Sequence, residues 1–219
     1  MDGVKQQSVP VTLTEETLAY GLRIVTEHDP DLADILERWG PPPLWDRPAG
    51  FPTLIHIILE QQVSLASAQA AFNRLCEAVA PLTPEGFLTL DDQTLKAIGF
   101  SRQKTAYGRY LATALIEGEL DLTALEHLDD VAVRSELMKL KGIGRWTADI
   151  YLLMVLRRPD VWPSGDLALA VAVQEAKGLE QRPSVEELDA MSTVWQPWRA
   201  VATRLFWHAY LGTRRQRHI

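Results

Sequence analysis

With 219 residues, 47% of them hydrophobic and 23% charged, the chain is long enough to bury a core and is too apolar for a disordered or fibrous protein. Its single cysteine, Cys76, excludes an intramolecular disulfide and any four-cysteine metal or iron–sulfur site, and fits a reducing, cytoplasmic setting. No apolar run is long enough to span a membrane, the opening MDGVKQQSVPVTLTEE lacks the pattern of a secretory leader, and a net charge of −7 disfavours a polyanionic partner as a bulk property.

Helical signals follow one another along nearly the whole chain. Thr14 and Asp29-Pro30 combine small polar caps with an early proline and predict helices over 15–27 and 30–38. Trp39-Gly40-Pro41-Pro42-Pro43 cannot continue a helix and forms the first linker. Phe51 to Gln61 and Ser64 to Val79 show the apolar recurrence of buried helices. Thr83-Pro84 and Asp91-Asp92 open two short helices, and Ser101 caps a longer one that runs to about Glu117 before Gly118. Further helices fit 129–139, 144–157, 167–177, 184–194 and 198–211. Sustained alternation, Asn-Gly hairpins, internal repeats and low-complexity tracts are all missing, so the predicted fold class is all-α.

The acidic total is unevenly spread. Residues 1–40 hold eight acidic side chains against three basic ones, Lys5, Arg23 and Arg38. Three other stretches carry basic residues and no acidic ones: Lys96 to Arg109, Lys139 to Arg145, and Arg199 to the C-terminus. Phosphate binding depends on such local footprints, so the net charge weakens a nucleic-acid reading without excluding it.

The second of these stretches overlaps Leu140-Lys141-Gly142-Ile143-Gly144-Arg145-Trp146-Thr147-Ala148-Asp149, between a helix ending near Lys139 and one starting near Gly144. Glycine permits a tight turn and lets another backbone come close. The first amides of the following helix point outward without partners, which suits a phosphate. A buried Ile143 would lock the two helices together. Residues of about 130–157 thus read as a helix-hairpin-helix, which grips a DNA backbone without reading its sequence. By itself the motif fits an ordinary glycine-closed corner equally well. Downstream, Arg157-Arg158-Pro159-Asp160-Val161-Trp162-Pro163-Ser164-Gly165-Asp166 forms a loop ending on an aspartate that opens a helix.

This hairpin, helix and Pro-x-Gly-Asp loop resemble the signature of the helix-hairpin-helix (HhH-GPD) DNA glycosylases. Ile57-Ile58-Leu59-Glu60-Gln61-Gln62-Val63-Ser64 looks like the family's first inserted helix and loop, and Ala97-Ile98-Gly99-Phe100-Ser101-Arg102-Gln103-Lys104 like its second turn and helix. Trp195-Gln196-Pro197-Trp198-Arg199 with Phe206-Trp207 is similar to the C-terminal helix of the 3-methyladenine DNA glycosylase II branch, and no counterpart is expected of the long N-terminal β-containing domain of some members of that branch. The resemblance covers about residues 50–212. It implies two helical lobes with a cleft between them, one of 1–50 plus 160–219 and a central one of 51–159 containing the hairpin.

It also implies roles. Asp166 would be the catalytic carboxylate; its context equally makes it a helix N-cap, and the two roles are compatible. Trp146 stands where bifunctional relatives carry the lysine that attacks the sugar, so the implied enzyme is a monofunctional hydrolase without abasic-site lyase activity. Trp146 and Trp207 would stack on the flipped base, with Ile150 and Gln61 as further substrate contacts; a core role is the plain alternative for Trp146. Gln62 aligns with the residue that fills the gap left in the duplex, and a polar turn explains it equally well. Phosphate contacts would come from Lys141, Gly142, Ile143, Gly144 and Arg145 in the hairpin and from Arg102 and Lys104. Main-chain carbonyls of Met138, Leu140 and Ile143 would hold a structural Na or K ion, with no cofactor required and no iron–sulfur cluster. The remaining candidates read as structural. Asp149 suits an internal hydrogen bond, His56 a core position, and Trp195 and Trp198 the core. His28, His127, His208 and His218 lack paired ligand spacing.

The implied function is excision of alkylated bases of the 3-methyladenine and 7-methylguanine type from damaged duplex DNA by a monomer. Neither a membrane nor an obligate protein partner is expected. A glycosylase for uracil or an oxidised base, a non-catalytic helix-hairpin-helix DNA-binding module, and a helical scaffold with no DNA role are the alternatives.

Overall fold

A computed structural model of the chain describes residues 12–217. In chain order its α-helices are α1 (Glu15–His28), α2 (Pro30–Trp39), α3 (Phe51–Glu60), α4 (Leu65–Ala78), α5 (Pro84–Leu88), α6 (Asp92–Ile98), α7 (Arg102–Ile116), α8 (Asp130–Met138), α9 (Arg145–Met154), α10 (Leu167–Ala176), α11 (Val185–Ser192) and α12 (Arg199–Arg217). Two 3-10 turns, Ala124–His127 and Thr193–Trp195, had no signal in the sequence reading. The described residues contain no strand, so the fold is all-α. None of their helices is long and apolar enough to cross a membrane.

The helix starts follow local chemistry. Asp29, Ser64, Thr83, Asp91, Ser101, Asp129, Asp166 and Ser184 each turn a side-chain oxygen onto the early amides of the helix they precede. Two ends differ from expectation. α9 stops at Met154 rather than 157: Arg157 takes a φ of 51° and the Arg158 N–H folds back to the Leu152 carbonyl at 3.0 Å. α12 continues past 211 to Arg217, because Gly212 is a notch for the Trp39 ring, close enough that a Cβ would strike it at 2.5 Å.

The chain divides into two compact units, one of 47–151 and one of 12–46 with 152–217. These borders replace 50/51 and 159/160, and the second falls inside α9. Residues 152–159 belong with the terminal unit for a physical reason: the Leu153 carbonyl accepts from Arg204, and the Pro159 carbonyl accepts the Ala200 N–H at 2.9 Å.

The central unit is built around α3, where Leu54, Ile55, Ile57, Ile58 and Leu59 are all buried. Phe87 packs on Phe51 and Phe100, each at 5.7 Å between ring centres, and Gly108 admits the Phe87 ring where any side chain would collide. In the terminal unit Trp195 packs on Trp162 and Phe206 at 5.3 and 5.2 Å, and Leu18 and Leu22 of α1 and Leu32 of α2 are buried. Burying such apolar surface at roughly 25 cal/mol per Å² is the main force holding each unit together.

Candidate functional site

The hairpin of the central unit is set by its two glycines, in different ways. Gly142 has a φ of +97°, and a Cβ there would overlap the Tyr107 ring, so both conformation and space require glycine. Nothing within 4 Å would meet a Cβ on Gly144. Packing does not explain that glycine; the open space lies before the first turn of α9. Ile143 between them is buried, as the hairpin reading requires. Lys141 lies exposed, its ammonium 5.2 Å from the Tyr110 ring centre, while Arg102 is exposed at the first position of α7. Arg145 leaves more than half its side chain in solvent and approaches Asp149 at 3.4 Å.

Asp149 is fully buried and receives the Arg134 Nε at 2.5 Å, an ion pair that ties α8 to α9. It is therefore internal, as expected from the sequence. His56 stacks on Phe72 at 4.3 Å and lies 3.7 Å from Glu60, which Arg47 grips with two hydrogen bonds of 2.7 and 3.0 Å.

The α3–α4 loop is fastened to this hairpin. Gln61 donates through Nε2 to the Gly142 carbonyl at 2.9 Å and to the Thr147 hydroxyl at 3.0 Å. This corrects its expected role as a substrate contact, because its amide N–H donors are engaged inside the protein. Lys104 is corrected in the same way: its ammonium donates to the Leu59 carbonyl at 2.7 Å, capping α3 instead of facing outward to phosphate, and burial pushes its pKa down. Next to Gln61, Gln62 is exposed with a φ of 57°, a conformation costing a non-glycine residue about 1 kcal/mol. Val63 and Leu65 beside it are also exposed, giving the loop a projecting, half-apolar tip. Trp146 is half-buried. Ile150 is buried at 2% exposure, which corrects its expected place on a substrate-accessible surface.

In the terminal unit the loop before α10 is pinned at three points. Arg199 clasps Asp160 through Nε and Nη2 at 2.8 and 2.9 Å, Ser164 donates to Asp189 at 2.6 Å, and Gly165 turns at a φ of +84°. Asp166 closes the loop. Its Oδ1 accepts the Leu169 N–H at 2.7 Å and the Trp207 indole N–H at 3.2 Å, and the residue is half-buried. Arg199 and Trp207 stand two turns apart on one face of α12, so a single helix holds both ends of the loop. Trp207 itself is buried at 8% exposure.

Two participants, Trp45 and Arg204, had no signal in the sequence reading, and a third, Asp29, was read there only as a helix cap. Trp45, in the segment between α2 and α3, packs edge-on against Trp207 at 6.5 Å and His208 at 6.2 Å. Arg204 is fully buried and donates to the carbonyls of Leu44, Ala200 and Leu153 at 2.8, 3.0 and 2.7 Å; burial lowers its pKa to about 10, which leaves it charged at neutral pH. Asp29 gathers Lys177 at 2.6 Å and the Trp195 indole N–H at 2.9 Å. Only the Arg199–Trp207 spacing was available to a sequence reading; the rest are contacts between distant segments. Among the described residues no cluster of His, Cys, Asp and Glu is arranged to hold a metal. His218 lies outside the described residues.

A model of the HhH-GPD superfamily of base excision DNA repair proteins matches residues 55–199. YfjP of Bacillus subtilis, provisionally named a DNA-3-methyladenine glycosylase, is 29% identical over 164 residues, which are 71% of this chain and 57% of YfjP. The chain thus spans less than two thirds of that relative. A solved DNA-3-methyladenine glycosidase from Bacillus halodurans is 29% identical, with a TM-score of 0.72 over 90% of this chain and 91% of its own. Mag1, a 3-methyladenine DNA glycosylase of Schizosaccharomyces pombe solved with abasic DNA, shares the fold at 24% identity, with a TM-score of 0.77 over 86% of this chain and 95% of its own.

Proposed function

Because the chain belongs to the HhH-GPD superfamily of base excision DNA repair proteins, we propose that it is a monofunctional DNA glycosylase releasing alkylated bases from duplex DNA. The observation that carries this reading is the carboxylate of half-buried Asp166, whose Oδ1 accepts two N–H donors at the N-terminus of α10. Both donors meet the same carboxylate oxygen and fix its position at the start of α10. Breaking the bond from C1′ to the base nitrogen builds positive charge on the deoxyribose, and a fixed anion stabilises that oxocarbenium-like state. A cationic alkylated purine leaves with the bonding electron pair and becomes neutral, so no strong general acid is needed. Water then adds to C1′ and gives up a proton, for which Asp166 is the acceptor at hand.

The relatives' names supply the substrate class: 3-methyladenine in the Bacillus and fission yeast proteins. The lesion's own lability does part of the discrimination, so selectivity is expected to be modest. Lyase chemistry requires a lysine at the sugar, and Trp146 occupies that place in the family pattern. Of the neighbouring lysines, Lys139 pairs with Glu136 at 2.6 Å and Lys141 lies over Tyr110. Trp146 is retained as an aromatic contact for the base.

DNA backbone would be held by the open amides at Gly144 and by Lys141, Arg145 and Arg102, with Gln62 entering the duplex as the wedge. The carbonyls of Met138, Leu140 and Ile143 suit a Na or K ion at this turn. The Leu140 carbonyl accepts the Ile143 N–H at 3.1 Å and keeps a second lone pair for a cation, which would add a positive charge facing a phosphate.

The test is base release from DNA treated with a methylating agent, with released bases resolved chromatographically. Asp166→Asn keeps a good cap residue, so the fold should persist while activity falls by about 10²-fold or more. Wild-type protein should leave intact abasic sites. Undiminished release by the variant, or strand cleavage at the abasic site by the wild type, would reject the corresponding part of the proposal.

A further inference from the structure

The chain leading to Asp166 passes from a packed segment to an open one within a few residues. Val161, Trp162 and Pro163 are buried, Ser164 is half-buried and Gly165 is exposed. Gly165 turns at a φ of +84°, and a Cβ there would meet no atom within 4 Å. Packing therefore holds the loop as far as Pro163 and stops just before the carboxylate. Beyond that point the Ser164 hydroxyl donates to Asp189 of α11 at 2.6 Å, the short length of a hydroxyl bonded to a carboxylate. α11 is itself fixed, by a capping box between Ser184 and Glu187 and by burial of Leu188 and Ser192. Asp189 is exposed. An exposed anion bonded to this loop repels an approaching phosphate, so DNA binding gives no account of its presence there.

We propose that Asp189 is a positioning residue for base release: through Ser164 it holds the loop that presents Asp166, while its charge weakens DNA binding. The inference rests on the glycosylase reading and extends it to α11, which carries none of the residues proposed to touch DNA or base. The N–H donors on Asp166 Oδ1 come from Leu169 of α10 and Trp207 of α12 and orient the carboxylate. The Ser164–Asp189 bond instead fixes the main chain that enters it. Electrostatic stabilisation of the sugar needs the anion in place before charge develops, so a loop free to drift loses rate more than affinity. Removing Asp189 should therefore move rate and affinity in opposite directions, which a simple loss of stability would not do.

The experiment compares wild type, Ser164→Ala, Asp189→Ala, Asp189→Asn and the double alanine variant. It measures single-turnover release from a duplex carrying 7-methylguanine, and affinity for a duplex carrying an abasic analogue at low and high salt. Ser164→Ala should slow release roughly 3- to 30-fold and leave affinity unchanged. Asp189→Ala should slow release by the same factor yet bind about 2- to 5-fold more tightly at low salt, a gain that fades at high salt. The double variant should be no slower than either single one, because each removes the same bond. Asp189→Asn keeps an acceptor without the charge, so it should bind like Asp189→Ala and retain most of the rate. Unchanged release in both single variants, additive losses in the double variant, or affinity falling in step with rate would overturn the proposal. Hydrogen exchange of the 164–166 amides supplies a readout independent of activity. It should quicken in Ser164→Ala and Asp189→Ala but stay near wild type in Asp189→Asn, and unchanged exchange in the alanine variants would equally overturn the proposal. A wild type that releases no methylated base fails the glycosylase reading instead, while the exchange comparison still decides whether Asp189 holds the loop.

Discussion

Gln61 is the point at which the projecting Gln62 loop and the hairpin become one mechanical piece, and replacing it separates their effects. Gln61→Leu keeps similar bulk and removes both amide hydrogen bonds, to the Gly142 carbonyl and the Thr147 hydroxyl. A neutral hydrogen bond contributes about 0.5–1.5 kcal/mol, and a buried acceptor left without a partner costs toward the upper end. Thr147 is buried at 2% exposure, so the two losses together come to about 2 kcal/mol. For a domain of this size that corresponds to roughly 4–8 °C in melting temperature. Urea and thermal unfolding measure this part. Function tests the coupling: with the loop released, affinity for a duplex containing an abasic analogue should fall about tenfold, while single-turnover release at saturating protein changes less. A variant destabilised as expected that binds the abasic duplex like wild type would refute the coupling. One with unchanged stability would refute the hydrogen-bond reckoning itself.

The two hairpin glycines should respond oppositely. Gly142→Ala forces a positive φ on a side chain that overlaps Tyr107, and should cost on the order of 3 kcal/mol in urea unfolding. Gly144→Ala meets no protein atom, so stability should stay within about 0.5 kcal/mol, while affinity for duplex DNA falls if a phosphate sits there. Equal effects of the two substitutions on stability would remove the distinction drawn between them. The Asp29–Lys177–Trp195 cluster gives a pH prediction. Burial opposes the charge on Asp29, but hydrogen bonds from Lys177 and Trp195 and the Lys177 charge outweigh it and hold its carboxyl below the ordinary 3.8. Its contribution is therefore complete above pH 3.8 and lost as pH falls through the lower folded value. For Lys177, burial works against the ammonium, yet Asp29 and Asp31 raise it above 10.5, so its share is present below pH 10.5 and lost as pH rises through the folded value. Asp29→Asn keeps the cap of α2 but should lose about 3 kcal/mol at neutral pH, and that deficit should shrink below pH 3.8; a deficit independent of acid would contradict the assignment.

The sequence carried the helices and the hairpin because these are local. A cap residue and an early proline act within one turn, and Gly142 marks a positive φ whatever lies around it. It also carried Asp166, whose capping geometry needs only the three residues that follow. Misread positions are those whose role depends on a distant partner. Lys104 resembles any exposed lysine until the end of α3 arrives 45 residues upstream, and Gln61 resembles a free polar side chain until the hairpin arrives 81 residues downstream. Ile150 failed for a simpler reason, since apolar character does not say which face of a helix is covered.

Arg204 belongs to the same class and shows why charge totals mislead. A buried guanidinium contributes its unit to the formal balance and nothing to the surface, while its donors go to three carbonyls from separate segments. The net charge of −7 is thus a poor description of the face that would meet DNA. Lys141, Arg145 and Arg102 are exposed, whereas Arg134 and Lys104 are engaged internally. Substituting the three exposed cations should therefore flatten the salt dependence of DNA binding by roughly one unit of slope each, and replacing Lys104 should not. A slope that changes equally for Lys104→Met would mean that its ammonium leaves the Leu59 carbonyl to reach phosphate when DNA is bound.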